Sequence, residues 1–204
     1  GVKYVGDSFS GKMNTNTNDV TIGRNTNGEY FSGSIDVIRI YNRALNANEI
    51  QQNYYGNVTT TGLVSEWDFN EGTGTTAHDS IGTNDGMVYG ASWIHYGNTA
   101  LQFNNTDYIN CGNDASLSLT DEITIDAWIY PTEKSDTYRT IISKGYSNTE
   151  NYQLRMDRTS QGNHISFEIS DGSNRYLSPY VAINNNQWYH IAGYYDGVNV
   201  GIYV

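Results

Sequence analysis

From Leu63 to Val204, apolar and β-branched residues arrive in short runs, broken every few positions by Gly, Asn or Asp. This punctuation is the strongest constraint on the chain. Segments that each bury one face over a few residues must stack as many short strands, in a sandwich or a barrel. The predicted strands are Leu63–Phe69, Ala100–Phe103, Tyr108–Cys111, Ile123–Tyr130, Thr140–Ser143, Tyr152–Met156, His164–Ser170, Tyr176–Ile183, Trp188–Tyr195 and Val198–Val204. Asp171-Gly172 and Asp196-Gly197 are hairpin-turn pairs, because tight hairpins need positive φ at their central residues. Composition agrees: Gly (21) and Tyr (18) are abundant and Pro (2) is scarce, as in turn-linked strands. Low Ala and Leu argue against a helical bundle.

Residues 1–56 read as strands followed by one helix. Val2–Val5, Val20–Ile22 and Ile35–Tyr41 are β-rich, and Ile35–Tyr41 is apolar on both faces. Asn46 is positioned to cap a helix, with Glu49 three residues later as in a capping box. Leu45 and Ile50 suit a hydrophobic staple, Ile50 and Tyr54 share a face, and Gly56 ends the helix. Asn57-Val58-Thr59-Thr60-Thr61 reads as a linker.

Charge narrows the partners. A formal charge of −11 and no basic patch argue against nucleic acid and anionic membranes. No apolar run approaches the roughly 20 residues that span a bilayer. Cys111 stands alone, so no internal disulfide forms. The chain opens on Gly1 and shows no signal peptide, which is the expectation for an excised piece of a secreted or surface protein.

Gly62-Leu63-Val64-Ser65-Glu66-Trp67-Asp68-Phe69-Asn70-Glu71-Gly72-Thr73-Gly74 resembles the opening strand of laminin-G-like, concanavalin-A-type lectin domains. Asp79 to Gly86 resembles the loop that follows it there. Ala100–Phe103, Asp107–Ile109, Ile123–Ile129 and Gln187–Gly197 then match in family order. The family's closing strand and terminal helix are similar to Ser32–Leu45 and the helix after it, at the other end of the chain. The resemblance implies an all-β, two-sheet antiparallel jelly-roll sandwich with one short helix. Residues 1–56 would supply its closing strands and 62–204 its opening and central strands, with 57–61 between them. Gly201–Val204 would run on through a turn into Gly1–Val5. Two arrangements fit: one circularly permuted domain, or one period of a tandem array whose halves complete neighbouring repeats. A terminus inside a hairpin favours the array, in which neighbours cover each other's strand edges.

Several residue sets are candidates for chemistry. Glu66, Asp68 and Glu71 fit an E-x-D-x-x-E pattern that resembles one used by retaining β-glucanases of this fold. Such hydrolysis needs two carboxyls roughly 5–5.5 Å apart. The plainer account places Trp67 and Phe69 in the core and the acids at solvent, so no enzyme activity is expected. His78, His95, His164 and His190 lack metal-ligand spacing, and no G-x-S-x-G elbow occurs. His190 reads as a packed, hydrogen-bonded strand residue. Oxygen donors cluster at Asn70-Glu71 and at Asp79 to Asp85, and hard Ca²⁺ takes six to eight oxygens. By the resemblance, a structural calcium would take Asp36, Glu71, Asp79 and Asn84, although Asp and Asn also cap turns. For sugar binding, aromatic faces stack on pyranose rings. Tyr138, Tyr146, Tyr152, Arg155, Tyr176 and Tyr180 are the candidates, set against the tendency of tyrosines to half-bury in strands. Asn57 and Asn104 open N-x-T sequons.

The leading expectation is an extracellular adhesion or carbohydrate-binding module in a tandem array, with a glycan or polysaccharide as partner. The second is a structural repeat of a filament that pairs head to tail with copies of itself. A glycoside hydrolase or lyase is the third.

Overall fold

The computed structural model describes the chain except residues 97, 133–136 and 158–161, and the side chains of 96 and 98. Its strands are β1 (Lys3–Ser8), β2 (Val20–Ile22), β3 (Gly33–Tyr41), β4 (Leu63–Trp67), β5 (Thr76–Ala77), β6 (Gly86–Tyr89), β7 (Ser92–Tyr96), β8 (Asn98–Phe103), β9 (Tyr108–Asn110), β10 (Ile123–Pro131), β11 (Arg139–Lys144), β12 (Tyr152–Met156), β13 (His164–Ser170), β14 (Arg175–Leu177), β15 (Val181–Ala182), β16 (Tyr189–Tyr195) and β17 (Asn199–Tyr203). One α-helix, α1, spans Ala47–Tyr54.

The strands form two antiparallel sheets. One has eight strands in the order β1-β17-β16-β10-β3-β8-β7, with β4 also beside β3. The other has nine, in the order β14-β13-β12-β11-β2-β9-β6-β5, with β15 beside β13. Ile, Val, Leu and Phe side chains from both sheets meet between them, among them Ile22, Ile38, Leu101, Ile125, Ile142, Leu154, Phe167 and Ile202. The sheets approach so closely that a Cβ on Gly193 would stand 2.4 Å from the Phe167 ring. This is the jelly-roll sandwich that the strand pattern and the resemblance called for.

Segment 1–41 is threaded through both sheets. β3 lies between β10 and the pair β4 and β8, while β2 lies between β11 and β9. β1 pairs with β17, and the two chain ends bond reciprocally, Val2 N–H to Val204 O at 2.9 Å and Val204 N–H to Val2 O at 3.2 Å. Both halves of the chain therefore build one sandwich.

β3 carries apolar side chains on both faces for a definite reason. Its register with β10 shifts between Trp128 and Ile129, which leaves Asp36 as an extra residue. The bulge re-phases the strand, so Ile35, Ile38 and Ile40 all reach the core despite their uneven spacing. The opposite face carries Arg39 and Tyr41, both buried.

Helix α1 forms as its local signals require. The Asn46 side chain accepts from the N–H of Asn48 and Glu49, and the Glu49 carboxylate accepts from Asn46 N–H. Leu45 and Ile50 are buried with Tyr41, Ala192, Tyr194 and Tyr203 in a second, smaller core. The helix thus lies on the outer face of the eight-stranded sheet. Gly56, at φ +79, follows it. Residues 57–61 fold back on the helix, with Thr59 N–H donating to Asn53 Oδ1 at 2.9 Å.

Two strand assignments change. The segment predicted as one strand over Tyr176–Ile183 is two short strands, β14 and β15, separated by Ser178-Pro179-Tyr180; proline has no N–H for a ladder. The strands β5, β6 and β7 are additional to those the sequence marks, because Thr76–Ala77 and Gly86–Tyr89 are short and Ser92–Tyr96 is mixed in polarity. No helix among the described residues is long and apolar enough to cross a membrane.

Candidate functional site

Strand alternation on β10 sends Ile123, Ile125, Ala127 and Ile129 into the core. Thr124, Asp126, Trp128 and Tyr130 therefore face the other way, toward α1 and solvent. The register sets their neighbours. Asp126 lies between Arg39 of β3 and Ala192 of β16, and Trp128 between Val37 and His190. Tyr130 is level with Ser34, which is level with Gln102 of β8.

The centre of this face is a buried ionic hub. Asp126 is fully buried, and its Oδ1 is 3.2 Å from Arg39 Nη1. Its Oδ2 is 3.1 Å from His190 Nε2 and accepts from Asn53 Nδ2 of α1 at 2.9 Å. Asn53 Nδ2 also reaches the Tyr41 hydroxyl at 2.9 Å, and Arg39 Nε pairs with Glu66 of β4. Burial pushes the Asp126 pKa up, but His190, Arg39 and Asn53 outweigh it and hold the carboxyl below its usual range. The hub fastens the last turn of the helix to the sheet.

Beyond the hub the face opens into a groove of about 1160 Å³. Tyr54 and Tyr55 of the helix end stand over it, and Trp128, Tyr130 and Trp188 line it. The Tyr54 and Trp128 rings lie 5.2 Å apart at 33°, and Trp188 lies 5.5 Å from Tyr130. Tyr54, Tyr55 and Trp188 are 48%, 68% and 44% exposed, which leaves aromatic surface free for a ligand. Ser34, Asp36, Asp68, Asn70 and Gln102 supply polar groups around these rings.

Of the residues singled out for sugar binding, Tyr138 and Tyr180 meet Arg155, whereas Tyr152 and Tyr176 pack elsewhere. Tyr152 belongs to the core, and its hydroxyl donates to Leu117 O at 3.2 Å. Tyr176 stacks on Phe9 at 4.3 Å and donates to Asp171 Oδ2. Arg155 is buried in an ion pair with Glu168, beneath the Tyr138 ring at 4.1 Å. Tyr146 is half-buried ahead of a single 3₁₀ turn, and Tyr180 is exposed beside His164. Strand parity separates these neighbours in the chain, since on β12 Tyr152 points inward while Gln153 and Arg155 point outward.

Of the proposed calcium ligands, Glu71, Asp79 and Asn84 gather at one loop and Asp36 stands apart from them. Asp36 sits on β3 in the groove, whereas Asp79 and Asn84 belong to the loop between β5 and β6. Asp79 spends its oxygens on the backbone N–H groups of Glu66, Ile81, Gly82 and Asn84. Although burial raises its pKa, the N–H groups of Gly82, Glu66 and Asn84 prevail and hold it low. Asn84 donates to Ser65 and Ser116, and Glu71 Oε1 accepts from His78 N–H at 2.5 Å. Among the described residues no group of three His, Cys, Asp or Glu side chains could hold a metal ion. Asp79 organises its turn, while Glu71 Oε2 and Asn84 Oδ1 are buried without a hydrogen-bond partner among the described residues.

Of the E-x-D-x-x-E acids, Glu66 is tied to Arg39, Asp68 lines the groove and Glu71 lies in the loop after β4; Trp67 and Phe69 are fully buried. The sequon residues Asn57 and Asn104 are exposed, Asn104 bonding to Asp107 within its loop. Sequence reasoning missed the groove residues Tyr54, Tyr55, Trp128, Tyr130 and Trp188. The signal was present in β10, where every second residue from Asp126 is polar or aromatic.

A laminin-G family model, described as the concanavalin A-like lectin/glucanases superfamily, matches residues 1–51 and 103–204. The chain belongs to this superfamily. The match in two segments, which together cover most of the chain, suits a permuted or split domain of the concanavalin A-like type. No curated protein and no solved structure matches the chain significantly. A concanavalin A-like domain of this kind points to carbohydrate binding or adhesion.

Proposed function

We propose that the protein is a non-catalytic carbohydrate-binding module of a secreted or surface-exposed protein, and that its ligand lies in the groove over the eight-stranded sheet. The observation that carries this reading is the exposed aromatic surface of Tyr54, Tyr55 and Trp188, continued by half-buried Trp128 and Tyr130, beside amide, hydroxyl and carboxylate groups. Pyranose rings present apolar C–H faces to such rings and hydroxyls to such polar groups. Rigid side chains lower the entropy cost of binding, and the Asp126 hub holds the helix-borne wall in place. Commitment of Glu66 to Arg39 supports binding without hydrolysis. Affinity electrophoresis against soluble polysaccharides tests the reading. Trp128→Ala is expected to weaken binding by about 2 kcal/mol, roughly thirty-fold. Failure of the wild-type chain to be retarded by any polysaccharide refutes it.

A second reading, a filament repeat, draws support from one feature. β2 and β3 occupy interior positions in the two sheets, so the same segment from a neighbouring copy would meet identical partners. Sedimentation of the isolated chain separates the two readings. A monomer, unchanged by a calcium chelator, is expected for the closed module, whereas concentration-dependent polymers would favour strand exchange.

A further inference from the structure

The groove does not end at Trp128. A second hollow of about 440 Å³ adjoins it and shares Tyr54, Tyr55, Trp128 and Trp188 with it. The second hollow is lined further by Gln51, Tyr189, His190 and Tyr203. Together the two touch six consecutive strands of the sheet, from Tyr203 on β17 through His190, Trp128, Val37 and Gln102 to Ile94 on β7. Five steps at the spacing of neighbouring strands give a trough about 24 Å long, running across the strands. The larger hollow alone exceeds the roughly 300–1,000 Å³ of a drug-sized site.

Its charge is as informative as its length. Arg39 is the only Lys or Arg side chain among the described lining residues, and Asp126 and Glu66 already hold it. Asp36 and Asp68 add negative charge, and the whole chain carries −11. Sulfate and uronate groups would find no uncommitted Lys or Arg side chain among the described lining residues and would be repelled by the field.

We propose that the two hollows act as one trough that binds the interior of a linear, neutral polysaccharide chain lying across the strands. This inference rests on the carbohydrate-binding reading above and adds the extent and charge class of the ligand. Trp128 and Tyr54 stand at the middle of the trough, so short oligosaccharides would occupy one side of them and longer ones both.

Calorimetric titration with neutral cello-, xylo- and manno-oligosaccharides, from disaccharide to hexasaccharide, tests it beside oligogalacturonates of equal length. Affinity for at least one neutral series is expected to rise about tenfold or more from the shortest to the longest member, with the uronates bound at least about tenfold more weakly. A Gln51→Cys variant titrated before and after coupling to a bulky maleimide blocks the second hollow at an exposed helix position, and Cys111 is buried. Coupling should weaken the hexasaccharide about tenfold and leave the disaccharide unchanged. Length-independent affinity, or a hexasaccharide indifferent to coupling, would overturn the trough while leaving sugar binding intact. Equal affinity for uronates would overturn the charge class. Absence of binding by every glycan would overturn this inference together with the function on which it rests.

Discussion

Asp126→Ala is expected to destabilise the fold by about 3–5 kcal/mol, the usual cost of removing one partner from a buried ionic cluster. The loss would come mainly from what remains. Arg39 keeps only Glu66, and the Asn53 amide and His190 ring lose a shared acceptor. Since Asn53 ties α1 to the sheet and Tyr54 follows it, the helix end should loosen and groove binding should fall as well. Urea unfolding gives the stability change, and Asp126→Asn separates charge from shape because it retains most of the volume. The pH dependence has a defined sign. The folded-state pKa of Asp126 is depressed, so its contribution is present above the ordinary carboxylate range and is lost as pH falls through the folded value. The wild type should therefore lose stability in acid more steeply than Asp126→Asn. Parallel acid limbs would show that the hub is not an ionic one.

Glu150→Gln should act in the opposite direction. Glu150 is buried, and neither carboxylate oxygen has a hydrogen-bond partner among the described residues. Burial first, and then the neighbouring Glu168 carboxylate, pushes its pKa up to about 9. Burial raises Glu168 too, against the pull of Arg155 and Arg175. With the folded pKa above the unfolded value of 4.5, the folded chain must hold a proton that the unfolded chain releases. Stability from this group is complete below the unfolded value and declines by about 1.4 kcal/mol per pH unit until pH passes the folded value. At neutral pH the accumulated penalty is on the order of 3 kcal/mol. Glutamine carries no such linkage, so Glu150→Gln should be the more stable form at neutral and alkaline pH and should match the wild type in mild acid. Unfolding midpoints across this range decide it. Curves of wild type and variant that stay parallel would place an ionised carboxylate at this position.

These two positions differ in how visible they were before the fold was known. Asp126 lies in Ile123–Ile129, and alternation alone assigns it to the face away from the core. Glu150 lies in a turn, and nothing in Asn148-Thr149-Glu150-Asn151 marks it as buried. The helix was legible in full, because the Asn46 and Glu49 cap and the Leu45 and Ile50 pair are contacts within a few residues of each other. The sugar-binding candidates were not legible, because Tyr152 and Arg155 lie three residues apart yet on opposite faces of β12.

The β-sandwich class, the hairpins, the capped helix, the permuted order of the halves and the superfamily are all written in the order of residues along the chain. Each depends on local chemistry: positive-φ turn residues, strand alternation and capping side chains act over a few positions. The site depends instead on long-range packing. Arg39, Asn53, Glu66, Asp126 and His190 come from five different elements, and their meeting depends on strand order and register. Tyr54 and Trp128 become one wall because the hub presses a helix end onto a strand far away in the chain. Alternation tells which face a side chain takes, and packing across long sequence separations tells which neighbour it finds there.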